Sequence, residues 1–345
     1  MPLPSEGSGD DSRGGSGDES GADEFAVLAR MSARLADPRR YRGLRRALPG
    51  ETFTGDDAAV LVPPEGRLLL TTDLLVEGVH FDLALGSLED AAWKAIAVNV
   101  SDIAAMGGEP RHAVVGLAAP GGTDLDAVMG GLAEAAAAYR IGLVGGDLTR
   151  GERLVFAVTV TGSCAAGGEV LRSGAKAGDE VWVTGPLGAS AAGLEALQAA
   201  APLGDTAGGD RRSVAAELAL AYRRPVARVA EGRLAASLGA RGMIDVSDGL
   251  ARDLDHIATG SGVGVRLDSV PIAGGASLEH ALGGGEDYEL VFCTEPGTEV
   301  VAAFASAGLR PPVRMGVCAS VTSAQPGCSL GGLPLRIVGW SHSFG

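Results

Sequence analysis

Aspartates recur in this 345-residue chain wherever an apolar run meets glycine, and that repetition constrains the fold more than any other feature. "TGDDAAVL" sets Asp56 and Asp57 ahead of an apolar run, and "LLLTTDLL" buries Thr71, Thr72 and Asp73 inside one. "VNVSDIAAMGG" carries Asp102 among apolar neighbours, "LVGGDLTRG" ends a strand on Asp147, and "IDVSDGLARDL" holds Asp245, Ser247 and Asp248. "GGEDYEL" delivers Glu286 and Asp287 straight into "YELVFC". An unpartnered buried carboxylate costs several kcal/mol. A chain that repeats this arrangement in both halves must therefore gather its carboxylates around cations or turn them outward singly. Local alternatives exist for each: Asp56 as a turn cap, Ser247 or Asp248 as a helix N-cap, Asp102 on a solvated helix face. Asp73 is the hardest to dismiss, because aspartate is depleted from strands.

The rest of the chain supports a large aliphatic core. Apolar residues make up 46%, aromatics only 4%, and the mean hydropathy is +0.19. A length of 345 residues favours two domains over one. No apolar run reaches the roughly 18 residues of a membrane span, and no signal-peptide pattern opens the chain. Cys164, Cys293, Cys318 and Cys328 are far apart with no CxxC, as expected for reduced thiols in the cytoplasm. The net charge of −15 includes seven acids and one arginine in residues 1–24. An acidic chain lacks the footprint of a nucleic-acid binder. Residues 1–23, Gly/Ser-rich and acidic, read as a disordered arm.

Strands and helices alternate. "EFAVLARMSARL" predicts a helix; "AAVLV" and "RLLLTTDLL" predict strands. "LEDAAWKAIAVNVSDIAAMGG" predicts a helix with Trp93, Ile96, Val100 and Ile103 on one stripe. Strand, helix, strand and strand follow to "RLVFAVTVTGSC". The second half begins with a Gly-punctuated strand pair in "VLRSGAKAGDEVWVTG" and continues through helices, a Gly/Asp-rich loop near 202–212, and the strands "GVGVRLDSV", "YELVFC" and "VRMGVC". The fold class is α/β (α+β) in two domains, residues 24–165 and 166–345. In the strand around Thr71, alternation points Thr71 and Asp73 to one face and Thr72 to the other.

Carboxylates without a His/Cys cluster select Mg²⁺ over zinc, and Mg²⁺ commonly accompanies phosphates. The familiar phosphate cradles GxxxxGK[ST] and GxGxxG are missing, as is the GxSxG elbow. Glycine turns, metal ions and scattered bases such as Arg172, Lys176 and Arg150 remain as the means of holding a phosphate.

The motifs "GDDAAVL", "TTDLLVEGVHF", "AVNVSDIAAMGGEP", "GGDLTRG", "LRSGAKAGD", "DVSDGLARDL" and "GGEDYEL" stand in an order that resembles the thiamine-monophosphate kinase family, within the aminoimidazole-ribonucleotide synthetase-like superfamily. The resemblance spans roughly residues 24–345. It implies a homodimer of two-domain subunits that phosphorylates thiamine monophosphate with ATP and several Mg²⁺ ions. By motif it implies metal ligation at Asp57, Thr71, Thr72, Asp73, Asp102, Asp147, Asp245 and Asp248. ATP contacts fall at Tyr139, Gly146, Asp147, Arg172 and Ser247, and substrate contacts at His80, Glu286 and Trp340. "GWSHSF" departs from the family's aromatic-Asp-His-Phe ending, with Ser341 in place of Asp and Ser343 inserted. On this reading Glu286 sits beside the thiamine cation. A nucleotide- or thiamine-phosphate-binding protein without turnover is the alternative, disfavoured by so many metal ligands.

Overall fold

The computed structural model describes residues 33, 35, 41–199, 209–321 and 327–339. The acidic arm, most of the first expected helix, residues 202–208 of the Gly/Asp-rich loop and Trp340 lie outside them.

Two sheets organise the described chain. The first is four-stranded, β1 (Arg67–Val76), β2 (Glu109–Ala119), β3 (Gly142–Arg150) and β4 (Val155–Cys164), in the order β1-β4-β2-β3. Only β2 and β3 pair in parallel there, joined by helix α2 (Leu125–Ala138); helix α1 (Leu88–Ala105) links β1 to β2. The two helices pack together, and their apolar residues form one core with the inner face of this sheet. The second sheet is seven-stranded: β5 (Glu180–Val183), β6 (Gly242–Asp245), β7 (Gly264–Leu267), β8 (Leu290–Thr294), β9 (Val313–Ala319), β10 (Cys328–Leu330) and β11 (Leu333–Pro334). Its order is β11-β10-β7-β9-β5-β8-β6. Helix α6 (Leu250–Ser261) covers one face in an aliphatic core, while α5 (Val229–Ser237) and α8 (Val300–Ser306) share another with Trp182, Phe292 and Phe304. Helices α3 (Ala189–Ala199), α4 (Gly209–Arg223) and α7 (Leu278–Gly283) complete the described elements.

Helix α1 positions the site. A capping box between Ser87 and Asp90 starts it, and Glu89 and Asp90 suit the positive end of its dipole. The sequence predicts one apolar stripe, but burial extends around nearly the whole helix and includes Lys94, Asn99 and Ser101. One side packs on β1, β4 and α2, and the other on α5 and β6, so α1 is shared by both sheets. The approach to α5 is close: a Cβ on Gly232 would stand 2.2 Å from the Ala104 carbonyl oxygen.

Three local expectations are corrected. "AAVLV" forms only an isolated bridge, Thr52 with Val60, and Val60 and Val62 are exposed. Among the described residues the segment has no sheet neighbour to bury it. Strand β3 does not end at Asp147 but continues to Arg150, paired along β2 throughout. "VLRSGAKAGDEVWVTG" contributes one strand, β5, rather than two. Its first half is tied down by other contacts, as the Ser261 hydroxyl accepts from the Gly174 and Ala175 N–H groups.

Candidate active site

Alternation along β1 holds as expected: Leu69, Thr71, Asp73 and Leu75 face inward, while Leu70, Thr72 and Leu74 face out. Inward from β1 lies α1, and there the carboxylates converge. The Thr71 hydroxyl donates to Asp102 Oδ2 at 2.5 Å, and the Ser101 hydroxyl donates to Asp245 Oδ2 at 2.6 Å. Asp73 and Asp245 both feel the Asp102 charge. Strand β1, helix α1 and strand β6 thus bring Thr71, Asp73, Asp102 and Asp245 together from both halves of the chain, with the Arg172 charge acting on Asp102 and Asp245.

This cluster is electrostatically expensive. Burial, then the neighbouring Asp102 charge, pushes Asp73 up to about 6 and Asp245 up to about 7. Burial also raises Asp102, against the lowering by Thr71 and Arg172. Crowded oxygen donors that resist ionisation together are a fitting donor set for a hard divalent cation such as Mg²⁺. A pH dependence follows. With both folded pKa values above the usual 3.8, the metal-free native state binds more protons than the unfolded chain between about pH 4 and 7. Stability in chelator should fall as pH rises through that window, by an amount on the order of a few kcal/mol. Mg²⁺ should flatten the profile. Melting curves from pH 5 to 8, with EDTA and with Mg²⁺, measure it; identical slopes would remove the cation from the cluster.

Other expected ligands stand apart. Thr72 lies on the outer face, donating to the Val158 carbonyl and accepting from Thr159. Asp57 is exposed, its N–H donating to Asp56 Oδ1 at 2.9 Å, and Asp147 is exposed on edge strand β3. Asp248, Asp253 and His256 place ligand atoms within 4.8 Å of one another. Asp253 is otherwise engaged: its Oδ2 accepts from the N–H groups of Ser247, Asp248 and Gly249. It thereby takes the capping role expected of Ser247 or Asp248, from a buried position that pushes its pKa up to about 8. "DGLARD" carried that signal in the four-residue spacing from Gly249 to Asp253. Tyr139 ends α2, packs against Trp93 and accepts from the Ala227 N–H at 3.0 Å. Gly146 faces Val115 across the β2–β3 pair.

The acids of "GGEDYEL" each find a partner. Asp287 accepts from the N–H groups of Gly188 (2.6 Å) and Ser190 (3.3 Å) at the start of α3. Glu289 is held by Arg228 at 2.8 Å, Arg310 at 2.5 Å and Thr184 at 2.5 Å. Glu286 pairs with Lys94 at 2.6 Å, and Lys94 also donates to the His80 carbonyl at 2.9 Å. The structure therefore joins His80 and Glu286 through a lysine the motif reading passed over. The only signal was a lone lysine inside the apolar run from Ala91 to Val98. Tyr288, also passed over, is buried in the core of the first sheet, where burial and then the charges of Glu286, Asp245, Asp73 and Asp102 raise its pKa. Glu286 and Tyr288 both hold positive φ, 57° and 50°, strained for non-glycine residues.

Two sheets joined across a shared helix, with carboxylates converging between them, define the AIR synthase related class. The "AIR synthase related protein, N-terminal domain" family matches residues 55–164 and its C-terminal counterpart matches residues 176–321. The thiamine-monophosphate kinase of Mycobacterium tuberculosis is 38% identical over 292 residues, covering 80% of this chain and 84% of that protein. The crystal structure of thiamine-monophosphate kinase from Stenotrophomonas maltophilia K279a superposes with a TM-score of 0.77 at 33% identity, over 90% of this chain and 98% of that one. AaThiL complexed with AMPPCP and TMP superposes with a TM-score of 0.71 at 30% identity, over 93% and 97%. The chain belongs to the thiamine-monophosphate kinase family.

Proposed function

We propose that this chain phosphorylates thiamine monophosphate to thiamine diphosphate with ATP, and that its reaction centre is the Thr71–Asp73–Asp102–Asp245 cluster. The convergence of these four residues from both halves of the chain carries the reading. Residues 24–165 and 166–345 act as the two domains, and the reaction takes place in the cytoplasm.

The acceptor is a substrate phosphate oxygen, ionised at neutral pH, so no general base is required. It attacks the γ-phosphorus of ATP, the bond to the β–γ bridging oxygen breaks, and the electron pair leaves with ADP. Asp73, Asp102 and Asp245 would hold Mg²⁺, joined by Asp57, Asp147 and Asp248 as the remaining metal ligands. When bound there, Mg²⁺ would supply neutralisation of the phosphate charge. Thr71 and Ser101 fix one oxygen of Asp102 and Asp245 by hydrogen bonding, leaving the other available. Arg172 supplies positive charge on the same side, and His80 and Glu286 serve the thiamine portion, to which the motif order also assigns Trp340. No side chain is phosphorylated along this route. ADP release, coupled to a detection enzyme, should require thiamine monophosphate, ATP and Mg²⁺ together. ADP released equally without thiamine monophosphate would defeat the proposal.

The chain acts as a homodimer. Leu68, Leu70 and Leu74 are 61%, 68% and 62% exposed on the outer face of β1, and Val114 is exposed on β2, beyond the intervening strand β4. Such an apolar sheet face suits a second copy of itself. Leu70→Glu is expected to shift the mass measured by light scattering from dimer to monomer; an unchanged dimer would place the interface elsewhere.

A further inference from the structure

Lys94 is 2% exposed, an unusual place for an ammonium. Three groups surround it: Glu286 Oε1 in an ion pair at 2.6 Å, the His80 carbonyl, to which it donates at 2.9 Å, and the Tyr222 ring, whose centroid lies 4.4 Å away. The ammonium ties together the turn at His80, from the first half of the chain, and the strained turn at Glu286, from the second. The Glu286 side chain keeps 27% of its surface open, and Oε2 has no hydrogen-bond partner among the described residues. Lys94 precedes Asp102 by eight residues on α1, about 12 Å along the helix axis. A small organic phosphate can lie across that distance, phosphate at the carboxylate cluster and ring at Glu286.

The geometry points to Lys94 as a positioning residue for the substrate's ring: it pins Glu286 Oε1 so that Oε2 is presented as a hydrogen-bond acceptor to a ring amino group. This rests on the assignment of Glu286 to the thiamine side of the site. It alters that assignment in one respect. The Lys94–Glu286 pair is neutral overall, so Glu286 selects the ring by an oriented acceptor rather than by an uncompensated charge. The strain of φ 57° at Glu286 fits a turn held in place by this contact.

Three full-length variants separate the possibilities, each assayed by ADP release with either substrate varied, by calorimetric binding of thiamine monophosphate alone, and by melting. Lys94→Arg keeps the charge, but a guanidinium favours a two-pronged pairing that occupies both carboxylate oxygens. It should melt near the wild-type temperature and leave the KM for ATP unchanged, yet raise the KM for thiamine monophosphate by about fivefold or more. Lys94→Met should show the same split with a lower melting temperature, since it leaves Glu286 without its cation. Glu286→Gln should also raise the KM for thiamine monophosphate. If Glu286→Gln does so while Lys94→Arg binds thiamine monophosphate as wild type does, the positioning role is refuted and the substrate assignment survives. If Glu286→Gln leaves that KM unchanged, the substrate assignment itself falls. Equal losses toward both substrates in Lys94→Arg would make Lys94 a purely structural lysine and overturn the inference. Lys94→Arg decides the matter even if Lys94→Met does not fold.

Discussion

Asp102→Asn is expected to lower kcat by about a hundredfold or more, while leaving the metal-free protein as stable as wild type or more so. The two effects have one cause. Asp102 raises its neighbours Asp73 and Asp245 and is itself raised by burial, so its charge opposes folding when no cation is present. Asparagine removes that repulsion and can still accept the Thr71 hydroxyl through its amide oxygen. The neutral amide is, however, a poorer ligand for a hard divalent ion. Activity measured against Mg²⁺ concentration should therefore show a raised requirement as well as a lower ceiling. Melting in EDTA should show no loss. Near-normal turnover at limiting Mg²⁺ would remove Asp102 from the reaction centre. A lower melting temperature in EDTA would show that the wild-type aspartate is not under the strain described.

The inner face of β1 was legible because strand alternation is a strict two-residue period, so Thr71 and Asp73 could be placed together without knowing what they faced. The partners across the site were less legible. Asp102 meets Thr71, and Asp245 meets Ser101, only because α1 is buried on nearly all sides between two sheets. A single apolar stripe was the expectation, since periodicity reports one packing surface and α1 has two. Lys94 escaped for the same reason: a helical lysine ordinarily reaches solvent, and only the second packing surface explains its burial. Asp253 is marked in the sequence only by its four-residue spacing from Gly249, and its carboxylate reaches back to three backbone N–H groups. The apolar run at "AAVLV" misled in the opposite sense, because apolar residues next to an unpartnered face look buried in sequence whether or not one chain buries them.

Gly146→Ala is expected to disrupt the edge of the first sheet and to abolish activity with it. A Cβ at this position would stand 2.1 Å from the Val115 carbonyl oxygen of β2, a backbone atom that cannot rotate out of the way. Gly146 and Val115 are paired in parallel register, so relief requires β3 to separate from β2 near this point. Among the described residues strand β3 has no strand on its other side, and separation is therefore the easiest response. The pairs from Gly116–Asp147 to Ala119–Arg150 would loosen together, carrying Asp147 and Thr149 out of place. Overpacking against a fixed backbone typically costs about 1–3 kcal/mol, and lost ladder bonds add to it. The expected result is a fall in melting temperature of several degrees, amide exchange accelerated selectively in residues 145–150, and no detectable ADP release. Gly145→Ala is the control, because a Cβ there meets nothing within 4 Å, and it should leave exchange across β3 slow. A folded Gly146→Ala protein with wild-type exchange and turnover would show that neither the sheet nor ATP binding depends on the close approach at Val115.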